Sequence, residues 1–438
     1  MIKITKTSLG FEREPLLMPF GFKGKYVNEI WQTAVGIGME SDSGLSAIGL
    51  GLQSVLWSDS QVFSRFSPSG GNSVMMLTTE YALSLLKDKN FSGSINPLNP
   101  MNILDEIFPQ VYKYGQKISG LENLRKTFAL NALVPVDMAL WKLYAGENKI
   151  VSFDDIIPQS IKPALGKRQD LLTSIPLITY GIDIDTIINL VENGAFFIKI
   201  KLGNDPDGDN DPEKMLEWDK DRLCKIHDAL KIFNTPHTEN GRIAYYLDAN
   251  GRYDNKDRLL RLIEYADKID ALGQIALFEE PFSEDTEFDV SDIPVRIAAD
   301  ESVHNARDAD KLIDMGYTAI ALKPIAKTLS MSFNILERAY KRNIPCFCAD
   351  LTVNPLMVDW NKNVAARLDN LPGIKTGVLE ANGHQYYKNW DKMKSYHPMG
   401  DRNWVDANDG FFVLGESFYM NSGGIFEHAP YYENIAWK

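Results

Sequence analysis

A (β/α)8 TIM-type barrel carrying an α+β capping domain is the fold this sequence predicts, and three observations predict it. From about residue 174 onward, eight short apolar segments recur. Amphipathic stretches separate most of them, and a strand–helix–strand alternation requires parallel pairing. Ahead of this repeat lies a different texture, a hairpin signal followed by three helical segments.

The hairpin is read from NEIWQTAVGIGME, which meets the turn signal SDSG and continues as LSAIGLGLQ. Helices follow over roughly 73–87, 102–118 and 126–145, and Pro135 is expected to bend or interrupt the last. The repeating strands are PLITYGI, FFIKIKL, IAYYLDA, IALFEE, VRIAAD, TAIALK, PCFCAD and KTGVLEA, beginning near 176, 196, 243, 275, 295, 318, 345 and 375. DIDTIINLVENG, DNKDRLLRLIEYADKI and MSFNILERAYKRN are among the helical segments between them. The acidic interval GNDPDGDNDPEKMLEWDKDR reads as a solvated loop entering a helix; as a calcium loop it lacks the glutamate twelve positions after a starting aspartate. The expected division is 1–150 for the capping domain, 174–390 for the barrel and 391–438 for a C-terminal segment packing back on the capping domain.

A chain of 438 residues, 44% hydrophobic, can bury a large core, and a net charge of -13 disfavours phosphate backbones and anionic membranes as partners. Neither a signal-peptide pattern nor an apolar run of membrane-spanning length is present, so a cytoplasmic protein is expected. Three cysteines, Cys224, Cys346 and Cys348, do not suggest a disulfide framework; the close pair reads as core packing or barrel lining.

The stretch FFIKIKLG at 196–203 puts Phe197, Lys199 and Lys201 on one face of a strand. By itself this is compatible with an antiparallel strand wetting its polar face. In a barrel the strand C-termini build the active site, and the charges then fall into series: Lys199 and Lys201 on the second strand, Asp248 on the third, Glu279 with Glu280 on the fourth, Asp300 with Glu301 on the fifth, Lys323 on the sixth, Asp350 on the seventh and Glu380 on the eighth. So many charges at apolar strand ends must neutralise one another or hold a metal. Asp248, Glu279 and Asp300, on adjacent strands, suit a hard divalent cation such as Mg2+, with lysines on either flank; a salt-bridged lumen without metal is the alternative. A carboxylate substrate on such an ion can accept charge when its α-proton leaves. The base must be a lysine whose affinity for its proton is lowered by neighbouring cations, and Lys199 beside Lys201 supplies that pressure.

KIK at 199–201, LDANGRYD around Asp248, FEEP around Glu279, ADES around Asp300 and ALKP around Lys323 resemble the enolase superfamily, more closely its muconate-lactonizing-enzyme-like branch than the mandelate-racemase branch. A lysine base working with Mg2+ is a known pairing of that superfamily. The resemblance covers nearly the whole chain and implies a modified, enolase-like barrel whose metal ligands are Asp248, Glu279 and Asp300. It also implies Lys201 as base, Lys199 as its tuning partner and Lys323 as the acid/base on the opposite face. The mandelate-racemase pattern would need a seventh-strand histidine, and that strand reads PCFCAD. Asn250 and Glu380 are the candidate substrate contacts, with charge balance for a lysine the other reading of Glu380.

Departures bear on the substrate. Dipeptide epimerases of this branch show Asp-x-Asp on the eighth strand, where this chain has Glu380-Ala-Asn382, and the glycines that commonly follow the sixth-strand lysine are missing from KPIAKTLSM. Capping-domain stretches at Phe22–Lys25 and Gly49–Trp57 are candidates for substrate selection. The resulting expectation is a Mg2+-dependent homo-oligomeric enzyme acting on a small carboxylate through an enolate, as a racemase or epimerase. An acid-sugar or hydroxy-acid dehydratase, or a cycloisomerase, fits the same site. A non-catalytic binding barrel and a Schiff-base aldolase are the readings from other classes.

Overall fold

The computed structural model describes residues 1–438 apart from 23, 24, 43 and 92–97, and leaves aside the side chains of Phe22 and Lys25. Ile2–Phe22, Lys25–Ser41 and Ser46–Ser54 form an antiparallel sheet, joined at its edge by Asn90–Phe91. The expected hairpin is its second and third strands, and residue 43 of the SDSG turn lies outside the described residues. Its first strand is an addition to the sequence reading. The pattern was available, since Ile2 and Ile4 are buried while Lys3 between them is exposed, the period of a half-buried strand.

The helices occupy Pro68–Leu86, Pro100–Ser119 and Lys126–Glu147. Of the two outcomes expected at Pro135, a bend or an interruption, interruption does not occur, and the last helix runs continuously from 126 to 147. Tertiary packing outweighs the lost hydrogen bond: nearly every residue from Thr127 to Trp141 is buried. The sheet comes so close to this helix that a Cβ on Gly51 would lie 1.6 Å from the Pro135 carbonyl oxygen, which only glycine permits. On another part of the sheet lies the helix Pro430–Ala436, so near that a Cβ on Gly10 would overlap the Ile435 carbonyl.

The second layer is a closed parallel barrel. Its strands are Leu171–Ile175 continued by Leu177–Ile178, then Phe197–Lys201, Ala244–Asp248, Ile275–Glu279, Ile297–Ala299, Ala319–Leu322, Cys346–Cys348 and Gly377–Glu380. Each is hydrogen-bonded to the next, and the first strand pairs with the eighth through its first half and with the second through its last. Pro176 therefore sits inside the first strand, where the sequence reading had it at the start; it lacks an N–H and breaks the ladder at one point, while its carbonyl still accepts from Lys199 N at 3.0 Å. The helical layer is incomplete, because among the described residues no helix lies between the fourth and fifth strands. That interval, PFSEDTEFDVSDIP, has prolines at both ends and no helical period.

Cys346 and Cys348 are buried and alternate with Phe347, whose ring meets Tyr246 in the barrel interior; the cysteines thus point to the helical layer, as core. The acidic interval is a loop entering the helix Pro212–Leu230. Its carboxylates serve the chain: Asp205 accepts from Gly208 N and Asn210 N, and Lys214 Nζ lies between Asp207 and Asp209 at 2.7 and 2.6 Å. Among the described residues no helix is long and apolar enough to cross a membrane.

The cap is fastened over the C-terminal mouth of the barrel at several points. Gln32 donates to Tyr387 Oη at 2.9 Å and accepts from Asn354 Nδ2 at 3.1 Å, Arg125 Nε donates to Glu284 at 2.6 Å, and the backbone of Leu16 bridges to Tyr387. The deepest fastening is Asp137 of the long cap helix. It accepts from Leu329 N at 2.7 Å, Ser330 N at 3.1 Å and Ser330 Oγ at 2.5 Å, at the start of the barrel helix Leu329–Lys341. Burial pushes its carboxyl up to about 6 against these donors. Asp137→Ala leaves them buried and unpaired, and a loss of about 1–3 kcal/mol in urea unfolding is expected. An unchanged midpoint would show that water replaces the carboxylate there.

Candidate active site

The second strand alternates cleanly: Ile198 and Ile200 face the helices, and Phe197, Lys199 and Lys201 face the lumen. Parallel register then levels the charges. Lys201 stands opposite Asp248, and Asp248 opposite Glu279; Ala298 is level with Glu279, so Asp300 emerges just above. Asp248, Glu279 and Asp300 are all at most 1% exposed.

Lysines are their counter-ions in this structure. Lys199, with a side chain 4% exposed, lies 3.0 Å from Asp248 Oδ2, 3.0 Å from Glu279 Oε1 and 3.1 Å from Glu380 Oε2. Burial alone would make it shed its proton, but these carboxylates outweigh burial and raise it well above the ordinary lysine value. Lys201 donates to Asp248 Oδ2 at 2.5 Å and Asn250 Oδ1 at 2.6 Å, and its side chain is 21% exposed at the mouth. Lys323 pairs with Asp300 Oδ2 from the other side. Burial opposes ionisation of Asp248 and Asp300, yet the lysines prevail and hold both far below the usual carboxylate range. Glu279 is pushed upward, by burial first, with Lys199 only partly offsetting it.

The eight candidate residues from the sequence are thus brought together at one end of the barrel, and two of them, Asn250 and Glu380, have protein partners there. Asn250, a candidate substrate contact, is committed to the protein: its backbone, at φ 45°, donates to Asp248 Oδ1, its carbonyl holds Lys201, and its Nδ2 donates to Glu301 at 2.9 Å. Glu380 balances Lys199 and also accepts from Asp350 N at 3.3 Å. Asp350 accepts from Asn382 N at 2.7 Å, and burial followed by Glu380 pushes it up to about 7. Of the two stretches proposed for substrate selection, residues 23 and 24 lie outside the described residues, as do the side chains of Phe22 and Lys25. Gly49–Trp57 is buried almost throughout and occupied internally, Gln53 donating to Asn131 O and Trp57 Nε1 to Asn72.

Sequence reasoning missed two members. Lys327, 2% exposed, reaches back to the backbone carbonyl and, at 3.0 Å, to Oδ1 of Asp300. Its signal was a second lysine four residues after the first in a loop otherwise apolar. Tyr246 was legible from alternation, two residues before Asp248 on the same face. Its hydroxyl accepts from Lys199 Nζ at 3.0 Å and donates to Glu279 Oε2.

Among the described residues no group of three or more His, Cys, Asp or Glu is drawn together closely enough to hold a metal ion, because the ammoniums stand between the carboxylates. The donor set nevertheless suits one. Glu280 and Glu301 flank the row, Glu280 is pushed up to about 8 by burial and then by Glu301, and each has a buried oxygen without a hydrogen-bond partner. Counting these and Asp350, carboxylates outnumber the ammoniums of Lys199, Lys201, Lys323 and Lys327. A cluster of hard oxygen donors more numerous than the ammoniums among them is what a small divalent cation takes.

Comparison with known proteins follows the same lines. Residues 186–373 match the family described as enolase C-terminal domain-like. No curated protein matches the sequence. Among solved structures, the chain is similar to a dipeptide epimerase from Enterococcus faecalis V583 complexed with Mg and L-Leu-L-Tyr, at 16% identity and TM-score 0.59 over 88% of this chain and 92% of that one. It is also similar to the L-Ala-D/L-Glu epimerase from Bacillus subtilis, at 20% identity and TM-score 0.58 over 88% and 91%. A mandelate racemase/muconate lactonizing protein from Herpetosiphon aurantiacus aligns at 16% identity and TM-score 0.60 over 94% and 99%. Identities this low speak for a shared fold.

Proposed function

We propose that this chain, whose residues 186–373 match the enolase C-terminal domain-like family, is a Mg2+-dependent racemase or epimerase that removes the α-proton of a small carboxylate substrate and returns it on the opposite face through an enolate. One observation carries this reading: the buried row Asp248, Glu279, Asp300 has a lysine of the second strand at one end and a lysine of the sixth at the other.

In this reading Asp248, Glu279 and Asp300 hold the ion, whose charge when bound offsets the negative charge developing on the substrate carboxylate. The remaining work falls to the chain. Lys201, the more exposed of the second-strand pair, takes up the α-proton at Nζ, and Asn250 Oδ1 orients that amine. Lys199 stays charged, fixed by three carboxylates, and stands beside Lys201 as a permanent cation. Lys323 delivers a proton from its own side, which is what inversion requires. The cap, seated on the loops after the fourth, seventh and eighth strands, keeps water from the carbanion. The same reading has the enzyme in the cytoplasm as a homo-oligomer acting on a small carboxylate, with Glu380-Ala-Asn382 in place of the Asp-x-Asp of dipeptide epimerases weighing against a dipeptide.

The metal assignment is tested by Asp248→Asn, which removes one negative charge and keeps the shape. Wild-type protein should gain thermal stability with added Mg2+, and the variant should lose that gain. A full Mg2+ response in the variant would remove Asp248 from the ligand set.

A further inference from the structure

We infer that Tyr246 is a positioning residue for the carboxylate row: its hydroxyl ties Glu279 to Lys199 from beneath and thereby sets how tightly the row takes a divalent cation. The inference rests on the reading of Asp248, Glu279 and Asp300 as cation ligands.

Strand alternation places Tyr246 on the same lumen face as Asp248, one layer deeper and without solvent exposure. Its ring is wedged between Phe197 and Phe347, with centroids 5.9 and 5.5 Å away, and Lys199 Nζ stands 4.5 Å from its own centroid. In that layer the hydroxyl has two polar neighbours, and their chemistry fixes its direction. The Lys199 ammonium can only donate, so the hydroxyl accepts from it, and the hydroxyl's single proton is directed at Glu279 Oε2.

Each Glu279 oxygen is then held by one protein donor, Oε1 by Lys199 and Oε2 by Tyr246, and each keeps a further lone pair. The carboxylate is pinned in rotation while remaining able to accept. Lys199, in turn, is held among Glu279, Glu380 and Tyr246. Supporting hydrogen bonds of this kind change metal affinity by about 10–100-fold when removed, because the ligand must then be ordered at the moment of binding.

The test is a calorimetric titration of the full chain with Mg2+. Tyr246→Phe deletes the hydroxyl and keeps the ring, so its packing and its contact with Lys199 persist. Its affinity should fall at least about tenfold. Phe347→Leu loosens the same layer but keeps the hydroxyl, and should bind as wild type. Wild-type affinity in Tyr246→Phe overturns the inference while the metal reading stands, and an equal loss in Phe347→Leu overturns it by making the effect one of packing. A wild-type chain that takes up no Mg2+ overturns the metal reading and this inference with it. Should Tyr246→Phe not fold, 3-fluorotyrosine placed at position 246 strengthens the donated bond; an unchanged affinity would then refute the assignment, and a changed one supports it.

Discussion

Lys201→Ala is expected to abolish α-proton exchange for one stereoisomer of the substrate while leaving exchange of the other in place. The two lysines approach from opposite ends of the carboxylate row, so each serves one face. Loss of a general base costs on the order of 10^2 to 10^4-fold in rate. Overall interconversion should fall by that factor, because inversion needs both lysines. Lys323→Ala should give the mirror result. The measurement is NMR in D2O with Mg2+, following loss of the α-proton signal separately for each stereoisomer. Exchange of both isomers at the wild-type rate in Lys201→Ala would show that another group is the base. Exchange of neither in both variants would favour a dehydratase or cycloisomerase, where one lysine works and the other holds charge. Lys201 is partly exposed and its partners keep other hydrogen bonds, so the variant should fold.

Lys199→Met is the substitution with the largest expected cost in stability. The methionine fills much the same space but leaves Asp248, Glu279 and Glu380 without their shared cation in a site closed to water. Removing one partner of a buried ion pair costs about 3–5 kcal/mol. The pH dependence has a definite sign. Lys199 has its folded value raised, so its contribution is complete below the unfolded value of about 10.4 and fades as pH climbs through the raised one. Asp248 has its folded value lowered, so its contribution is complete above about 3.9 and is lost as pH falls through the lowered one. Both are whole at pH 7, where the variant should show its full deficit. Without the ammonium the carboxylates hold protons more readily, and the deficit should shrink as pH falls from about 7 toward 5. Urea unfolding at several pH values measures this, and a deficit constant over that range would mean that water has entered to replace the lysine.

Most of the barrel is legible in the sequence because a parallel strand buried on both sides is a short apolar run with a charge where it meets the mouth. Seven strand positions follow from that signature within two residues. Pro176 obscures the first, since a proline reads as a boundary although the sheet tolerates one missing donor. The first cap strand escapes for another reason: its polar face is in water, and KITKTSLG looks like a loop unless its alternation is followed. At the site, the charges that end strands are visible at once, and their partners only from weaker signals. Lys327 arrives from a loop and Tyr246 from a deeper layer, and neither position is marked by strand ends. Asn250 and Glu380 show the remaining limit, because residue type places them at the mouth but only the register shows that they face lysines.

The helix Pro430–Ala436 lies against the strand Ile2–Phe22, so the cap is built from two ends of the numbering with the whole barrel between them. During synthesis the amino-terminal sheet leaves the ribosome with one face still bare. At about 5–20 residues per second it waits roughly 20 to 80 seconds before residue 436 emerges to cover it.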